Sequence, residues 1–331
     1  MAKRKLLSRF QRFWFSSRRR DSAKGFTLLE LLVTTAIAGG IVSGLLFIVV
    51  QLMSVDQRES SQSATQQEMQ LALNYISTEM RDAVYVYTGK TLAASAGSRN
   101  GQPLTDFLPT SLMTNSFPVI AFWKQQPFPD AVKAACAGST PPAGAACTNG
   151  SSYALVVYSL STNDPDDIWK GNARITRYAL TEFNFTNITP TPGYVNPGAY
   201  GNIFDAWPYG TNETGSGNLQ TVRPTGVPAA LVDFVDYPVP PALPVPPVPD
   251  VMCPNATTTG VSYVISPTTN FRSFYACVKY RDKNLGDSQD VLIYLRGNVK
   301  GRPGSSLASP FLPTLEARVL SRGVLGRLPT N

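Results

Sequence analysis

The longest hydrophobic stretch of the chain runs from Phe26 to Met53 and contains one charged residue, Glu30. A helix rises about 1.5 Å per residue, so this stretch is long enough to cross the ~30 Å hydrocarbon core of a bilayer. The pattern therefore predicts a transmembrane helix over residues 26–53.

The residues that follow, 54–68, are mostly polar, and apolar residues then return at helical spacing. The apolar positions are Met69, Leu73, Ile76, Met80, Ala83 and Tyr87. Successive steps of four and three residues place them on one face of a helix. We therefore expect an amphipathic stalk helix over residues 54–88, packed against the rest of the protein.

From Gly89 onward, short β-branched and aromatic runs alternate with clusters rich in Gly, Pro, Asn and Asp, a pattern typical of strands and turns. Strands are predicted at 117–123, 153–159, 173–180, 231–237, 261–265, 271–280, 291–296 and 315–320, with a hairpin turn at 284–287. Long loops are predicted at 89–116, 124–152, 181–230 and 238–260, and the seven prolines of 238–249 favour a stiff surface segment. The predicted class is α+β: a long N-terminal membrane-spanning helix packed on an antiparallel, β-rich region with long loops at 89–331.

Charge is distributed unevenly along the chain. The whole chain has 29 Lys+Arg and 22 Asp+Glu, a net charge of +7, but residues 1–25 hold nine basic residues and one acid, or +8. The remaining residues therefore carry 7 − 8 = −1, which gives no electrostatic reason to expect nucleic-acid binding. The basic segment precedes the hydrophobic stretch, so the N-terminus is expected in the cytoplasm and everything after Met53 outside it.

The chain contains no histidine. This excludes Ser-His-Asp and Cys-His nucleophile pairs and zinc sites with histidine ligands. No other catalytic constellation is visible, so we expect a protein that is not an enzyme. The rival from another class is an enzyme or solute-binding domain held by an uncleaved membrane helix.

Two ordinary interpretations compete for the hydrophobic stretch. One is a secretory signal cut after Ala36–Ala38, but the apolar run continues well beyond Ala38. The other is a plain signal anchor, which leaves Glu30 unexplained, because an acid within a membrane span costs roughly 2.5–3.5 kcal/mol and usually has a partner.

The segment Lys24-Gly25-Phe26-Thr27-Leu28-Leu29-Glu30 resembles the processing site of type IV prepilins and type II secretion pseudopilins. The resemblance implies that residues 1–25 are a basic leader, and that a membrane prepilin peptidase cuts between Gly25 and Phe26 and methylates the new amine of Phe26. It also implies that Glu30 pairs with the N-terminal amine of a neighbouring subunit during assembly. A buried acid is tolerable in lipid when an opposite charge meets it.

Residues 70–86 are similar to the corresponding helix of J-type pseudopilins and W-type minor pilins. The long leader and the proline-rich region look like the cyanobacterial pseudopilins of hormogonium polysaccharide secretion. The resemblance implies a structural subunit, at the tip or initiation point of a filament, that supports secretion or motility. Its implied partners are the peptidase, other pilins or pseudopilins through the N-terminal helix, and an inner-membrane assembly platform. The implied location is the inner membrane, single-pass, with the β-rich region in the periplasm. An adhesin or DNA-uptake tip pilin is the alternative within the class.

Four cysteines, Cys136, Cys147, Cys253 and Cys277, lie on the predicted outer side of the membrane. Four cysteines allow three pairings, of which sequence proximity favours Cys136–Cys147 and Cys253–Cys277. No CxxC motif is present, so a redox pair or a zinc knuckle is not expected.

One acidic turn has the composition of a weak calcium site. Its oxygen-bearing side chains are Asp164, Asp166 and Asp167, and hard cations prefer clustered oxygen ligands. The turn lacks the EF-hand pattern, so a solvated loop is the simpler expectation and no other cofactor is predicted.

Overall fold

A computed structural model describes residues 25–93, 101–162, 164, 166–184, 188–199, 204–210, 217–237, 253–254, 262–268, 273–280, 289–305 and 311–321. Three regions lie outside these residues: the basic segment 1–24, the proline-rich segment 238–249 and the predicted turn at 284–287. The chain divides into two compact units: residues 1–55, called here the N-terminal unit, and residues 56–331, the C-terminal unit.

A single helix, α1, runs from Leu28 to Arg81 and contributes residues to both units. Among the described helices, α1 is long and apolar enough to cross a membrane. Residues 25–60 are all exposed, whereas burial begins at Ser61 and recurs along one face. Met69, Ile76 and Met80 are fully buried on that face, as their helical spacing predicts.

The helix ends earlier than expected. Arg81 is its last residue, and Ala83–Val86 form a strand, β1, rather than the end of a helix reaching residue 88. The sequence Ala-Val-Tyr-Val explains the switch, because β-branched and aromatic residues pack well on a pleated sheet and lose rotamer freedom in a helix. Strand β1 pairs with the strand that follows it, for example Val86 with Phe122.

The C-terminal unit holds nine strands among its described residues, and every predicted strand overlaps one of them. The other eight strands are β2 (Ser116–Pro127), β3 (Ser151–Ser161), β4 (Ala173–Leu180), β5 (Ala229–Val235), β6 (Tyr263–Ser266), β7 (Phe274–Lys279), β8 (Asp290–Arg296) and β9 (Thr314–Leu320). The predicted loops 89–116 and 124–152 also contain regular structure. They include the helices α2 (Gly89–Leu92) and α3 (Asp130–Ala137) and two short 3₁₀ turns at 104–107 and 110–112.

The strands form two antiparallel sheets. One has five strands in the order β1-β2-β3-β4-β5, and the other has four in the order β6-β7-β8-β9. The buried face of α1 packs against residues of both sheets, including Tyr158 and Ile293, in one hydrophobic core. This arrangement, a long apolar helix followed by antiparallel sheets, confirms the α+β class.

A side chain joins the two sheets where β1 ends. Gln289, which is buried, accepts the backbone N–H of Val86 at 2.7 Å and donates its side-chain amide to the Val86 carbonyl at 2.8 Å. The glutamine amide thereby satisfies backbone groups at the edge of the five-stranded sheet, as a further strand would.

The second face of the five-stranded sheet carries an aromatic core. Trp123 and Trp207 are fully buried there, with ring centroids 5.4 Å apart in an edge-to-face arrangement. Tyr87 belongs to the same cluster and accepts a hydrogen bond from the Trp123 indole at 2.9 Å. Loops, together with α2 and the 3₁₀ turns, therefore form a third layer on the sheet.

Candidate functional site

The N-terminal end of α1 presents an accessible peptide bond between Gly25 and Phe26. Gly25, Phe26 and Thr27 are not helical, and α1 begins at Leu28. The Phe26 side chain is 75% exposed, and a Cβ atom added at Gly25 would meet nothing within 4 Å. The peptide bond that the prepilin resemblance singles out thus lies in irregular chain just before a helix.

Thr27 and Glu30 form a local cap. The backbone N–H of Glu30 donates to Thr27 Oγ1 at 3.3 Å, so Thr27 satisfies one of the donors that a helix leaves open at its N-terminus. Thr-x-x-Glu is the capping-box signature, and a carboxylate in the first turn also interacts favourably with the helix dipole. Thr27 therefore caps the helix through the Glu30 backbone N–H, and the Glu30 carboxylate lies in the first turn, where it complements the helix dipole.

The first part of α1 exposes its apolar side chains among the described residues of the N-terminal unit. Side chains such as Ile37, Leu46 and Phe47 are 59%, 59% and 69% exposed. Exposed apolar area on this scale is unfavourable in water and is typical of a surface that lipid or other protein covers.

Glu79 fastens the C-terminal end of α1 to three strands. Its carboxylate accepts hydrogen bonds from Lys124 at 2.6 Å, from Arg177 at 2.5 and 2.9 Å, and from the hydroxyl of Tyr158. Lys124, Tyr158 and Arg177 belong to β2, β3 and β4, and Arg177 binds both carboxylate oxygens. A bidentate, charge-assisted contact of this kind fixes both position and orientation.

The environment of Glu79 favours its charged form. Burial alone would raise the pKa of the carboxyl, but the hydrogen bonds from Arg177, Lys124 and Tyr158 outweigh burial and lower the pKa from 4.5 to about 2. Burial raises the pKa of the Tyr158 hydroxyl, and the hydrogen bond to Glu79 raises it further. The carboxylate is therefore ionised throughout the physiological range.

A turn at 298–305 holds α1 where it enters the C-terminal unit. The Ser61 hydroxyl donates to the Pro303 carbonyl at 2.7 Å. Arg302 pairs with Glu68 and lies 4.0 Å from the centroid of the Phe234 ring. Ser61, Glu68 and Glu79 thus attach the helix along its buried length.

The cysteines form two disulfides, Cys136–Cys147 and Cys253–Cys277. These are the pairs that sequence proximity favours. The first closes the exposed segment after α3, and the second attaches Cys253 to β7.

Asp164 is engaged by the protein's own backbone. Its two carboxylate oxygens accept the N–H groups of Ile168 at 3.1 Å and Trp169 at 3.0 Å, and Arg174 lies 3.7 Å away. Asp166 and Asp167 are exposed. Within the described residues, no group of three or more Asp, Glu or Cys side chains is placed to hold a metal ion. In the predicted calcium loop, the Asp164 carboxylate thus binds backbone N–H groups of the protein itself.

No known protein family, curated protein or solved structure matches this chain.

Proposed function

We propose that this protein is a minor pilin or pseudopilin, a structural subunit of a type IV pilus-like or type II secretion-like filament. In this proposal the leader 1–25 faces the cytoplasm, the apolar part of α1 spans the inner membrane, and the C-terminal unit lies in the periplasm. A prepilin peptidase and an assembly platform act on it, and other pilins contact its N-terminal helix. Polysaccharide secretion and motility are the processes that such a filament would support.

One observation carries the proposal. The exposed, apolar first part of α1 begins two residues after an accessible Gly25–Phe26 bond, and a later part of the same helix belongs to a β-rich core. An ordinary anchor needs only the hydrophobic stretch. A filament subunit needs both parts, because the exposed half must leave lipid for contacts with other helices while the buried half carries the C-terminal unit with it.

Glu30 supplies the charge that assembly would use. Cleavage after Gly25 would create a new amine on Phe26, four residues before Glu30 along the chain. In a helix bundle, that amine and the carboxylate of a neighbouring subunit compensate each other's desolvation. The work of moving the subunit would come from other proteins.

The mature N-terminus is the first test. We expect the membrane-extracted protein to begin at methylated Phe26, as measured by mass spectrometry. Because no described residue packs on Gly25, Gly25→Leu should leave the fold intact and yield a chain that still begins at Met1. A wild-type chain that begins at Met1 contradicts the proposal and favours the signal-anchored domain.

The Glu30 series separates assembly from local capping. If Glu30 only caps its own helix, Glu30→Gln should complement a deletion strain, because a glutamine at this capping-box position can also hydrogen-bond the open backbone. If the carboxylate pairs with a neighbour's amine, Glu30→Gln and Glu30→Val should both be cleaved after Gly25 and both fail in filament-dependent secretion or motility. Glu30→Asp should give intermediate complementation, since its shorter side chain reaches less far.

The Thr27–Glu30 cap is the observation that favours the second candidate, an enzyme or binding domain on an uncleaved anchor. Full complementation by Glu30→Gln at normal protein level, with a chain that starts at Met1, would establish that candidate instead. An adhesin or DNA-uptake tip pilin would share the cleavage and the Glu30 requirement and differ in what its C-terminal unit binds.

A further inference from the structure

A short loop before β4 exposes apolar side chains to solvent. Ile168 is 65% exposed and Trp169 is 37% exposed, and Lys170 follows them. Ile168 and Trp169 are adjacent, so together they form one small exposed apolar patch.

The backbone of this loop is already satisfied from within. Asp164 accepts the N–H groups of Ile168 and Trp169, and Asp233 accepts those of Lys170 at 3.2 Å and Gly171 at 3.0 Å. Two carboxylates thus bind four successive backbone donors. A loop whose donors are satisfied internally can enter an apolar environment without the cost of burying open N–H groups.

Trp169 is also held in position. The guanidinium carbon of Arg174 lies 5.0 Å from the centroid of the Trp169 ring, a cation–π distance. Arg174 thus contacts Trp169 while Trp169 and Ile168 remain partly exposed.

The loop lies at the end of the C-terminal unit that the chain enters first. A Cβ atom at Gly301 would come within 2.2 Å of the Lys170 carbonyl oxygen, so the turn 298–305 packs directly on the loop. The same turn packs on α1, since a Cβ atom at Gly304 would lie 2.9 Å from the Arg58 nitrogen. Arg58 is five residues beyond Met53, where the apolar stretch ends, and five residues span at most about 17 Å.

From these contacts we propose that Ile168 and Trp169 are a membrane-surface contact of the C-terminal unit. They would enter the interfacial zone of the bilayer while α1 is still embedded, before assembly. The inference depends on the membrane location in the proposed function. Tryptophan prefers this zone because its ring is apolar and its N–H can remain hydrated.

The charges around the loop indicate which lipids it would contact. Within the loop and the turn 298–305, the exposed charged residues are Lys170, Lys300, Asp166 and Asp167, and their charges sum to 2 − 2 = 0. Attraction to anionic headgroups is therefore not the driving force. The contact should form equally on zwitterionic phosphatidylcholine.

Tryptophan quenching in brominated lipid tests the proposal. The full chain carrying Trp14→Phe would be reconstituted in phosphatidylcholine vesicles whose acyl chains are brominated close to the headgroup. Trp123 and Trp207 are fully buried, so Trp169 should supply the quenched signal. We expect Trp169→Phe in this background to reduce the quenched fraction by roughly twofold or more.

Two reporters serve as controls in the chain that carries Trp14→Phe and Trp169→Phe. Tyr280 is 60% exposed and directly follows β7. Because β7 and β8 are antiparallel, Tyr280 lies near the start of β8, whereas the turn 298–305 follows the other end of β8. Tyr280→Trp should therefore escape quenching. Leu45→Trp, within the apolar part of α1, should be quenched by deeply brominated chains and reports insertion itself.

Quenching that is equal with and without Trp169, while Leu45→Trp is quenched, would overturn this inference and leave the membrane location standing. The loop would then contact another protein or remain in solvent. Failure to quench Leu45→Trp as well would overturn both. Quenching of Tyr280→Trp to the same extent as Trp169 would also refute a specific contact.

Discussion

The Glu79 contact makes the stability of the C-terminal unit depend on pH in a defined direction. The pKa of this carboxyl is about 2 in the folded protein and 4.5 when it has no partners. An acid whose pKa is lower in the folded than in the unfolded protein stabilises the fold at pH values above its unfolded pKa. This stabilisation is lost as the pH falls from about 4.5 through about 2.

The magnitude follows from that difference in pKa. At about 1.4 kcal/mol per unit, it corresponds to about 3 kcal/mol of stability at neutral pH. The Glu79 side chain is only 8% exposed, so solvent screens the contact weakly. Glutamine resembles the protonated acid, so Glu79→Gln should lose about 3 kcal/mol at pH 7. Glu79→Ala should lose roughly 3–5 kcal/mol, because it leaves Arg177 and Lys124 without their carboxylate.

Urea unfolding of the full chain in detergent micelles, followed by tryptophan fluorescence, measures these differences. Trp123 is a suitable probe because it is fully buried on β2, the strand that also carries Lys124. The matched control is Glu68→Gln in the same helix. Glu68 pairs with Arg302 but its side chain is 43% exposed, so its loss should cost at most about 1 kcal/mol.

Comparison at two pH values gives the decisive result. The difference in the free energy of unfolding between wild type and Glu79→Gln should be largest at pH 7 and should decrease steadily below pH 4.5. Equal losses in Glu79→Gln and Glu68→Gln, or a difference that does not change between pH 7 and pH 3, would refute the reasoning.

The remaining predictions concern the disulfides and a second buried acid. The unreduced, denatured chain should show no reactive thiol in a thiol-titration assay, and replacing both cysteines of Cys253–Cys277 by serine should cost roughly 2–4 kcal/mol in urea unfolding. This loss should exceed that for Cys136–Cys147 by about 0.6 kcal/mol, because the closed loop is longer, with separations of 24 and 11 residues. Glu182 is 4% exposed, and burial raises its pKa from 4.5 to about 7 although a hydrogen bond with Ser152 opposes the shift. A raised pKa means that this acid lowers stability as pH rises from about 4.5 through 7. Glu182→Gln should therefore stabilise the protein by up to about 3 kcal/mol at pH 8 and by little at pH 4.5, and an equal effect at both values would contradict this.

The sequence predicted the buried face of α1 because apolar spacing alone determines it. Met69, Ile76 and Met80 lie where the helical period places them. The prediction failed at Ala83 and Tyr87, which are four residues apart and fit either a helix or a strand. A register shift between Ala83 and Tyr85 then places them in different cores. Local spacing cannot reveal such a shift, since pairing with β2 produces it.

The partners of Glu79 could not be predicted from spacing, since Lys124, Tyr158 and Arg177 meet only when three strands pair. One signal was available: Glu79 is three residues from Ile76 and adjacent to Met80, so it lies beside the apolar face. An acid in that position needs a buried partner. The roles of Asp164 and Asp233 depended in the same way on tertiary structure, because their backbone donors belong to a loop between strands.

The hydrogen bond between Ser61 and Pro303 joins residues 242 positions apart in sequence. A ribosome adds about 5–20 residues per second, so the second partner is synthesised roughly 12–50 s after the first. During that interval the strands that cover the buried face of α1, from β1 to β8, are synthesised one after another. Contacts of such long range also slow folding, because a large loop must close before they form. Newly made chains therefore pass through a period in which α1 is complete but the hydrophobic core around its buried face is not. Protection of this apolar face in the cell must last until translation of the strands is finished.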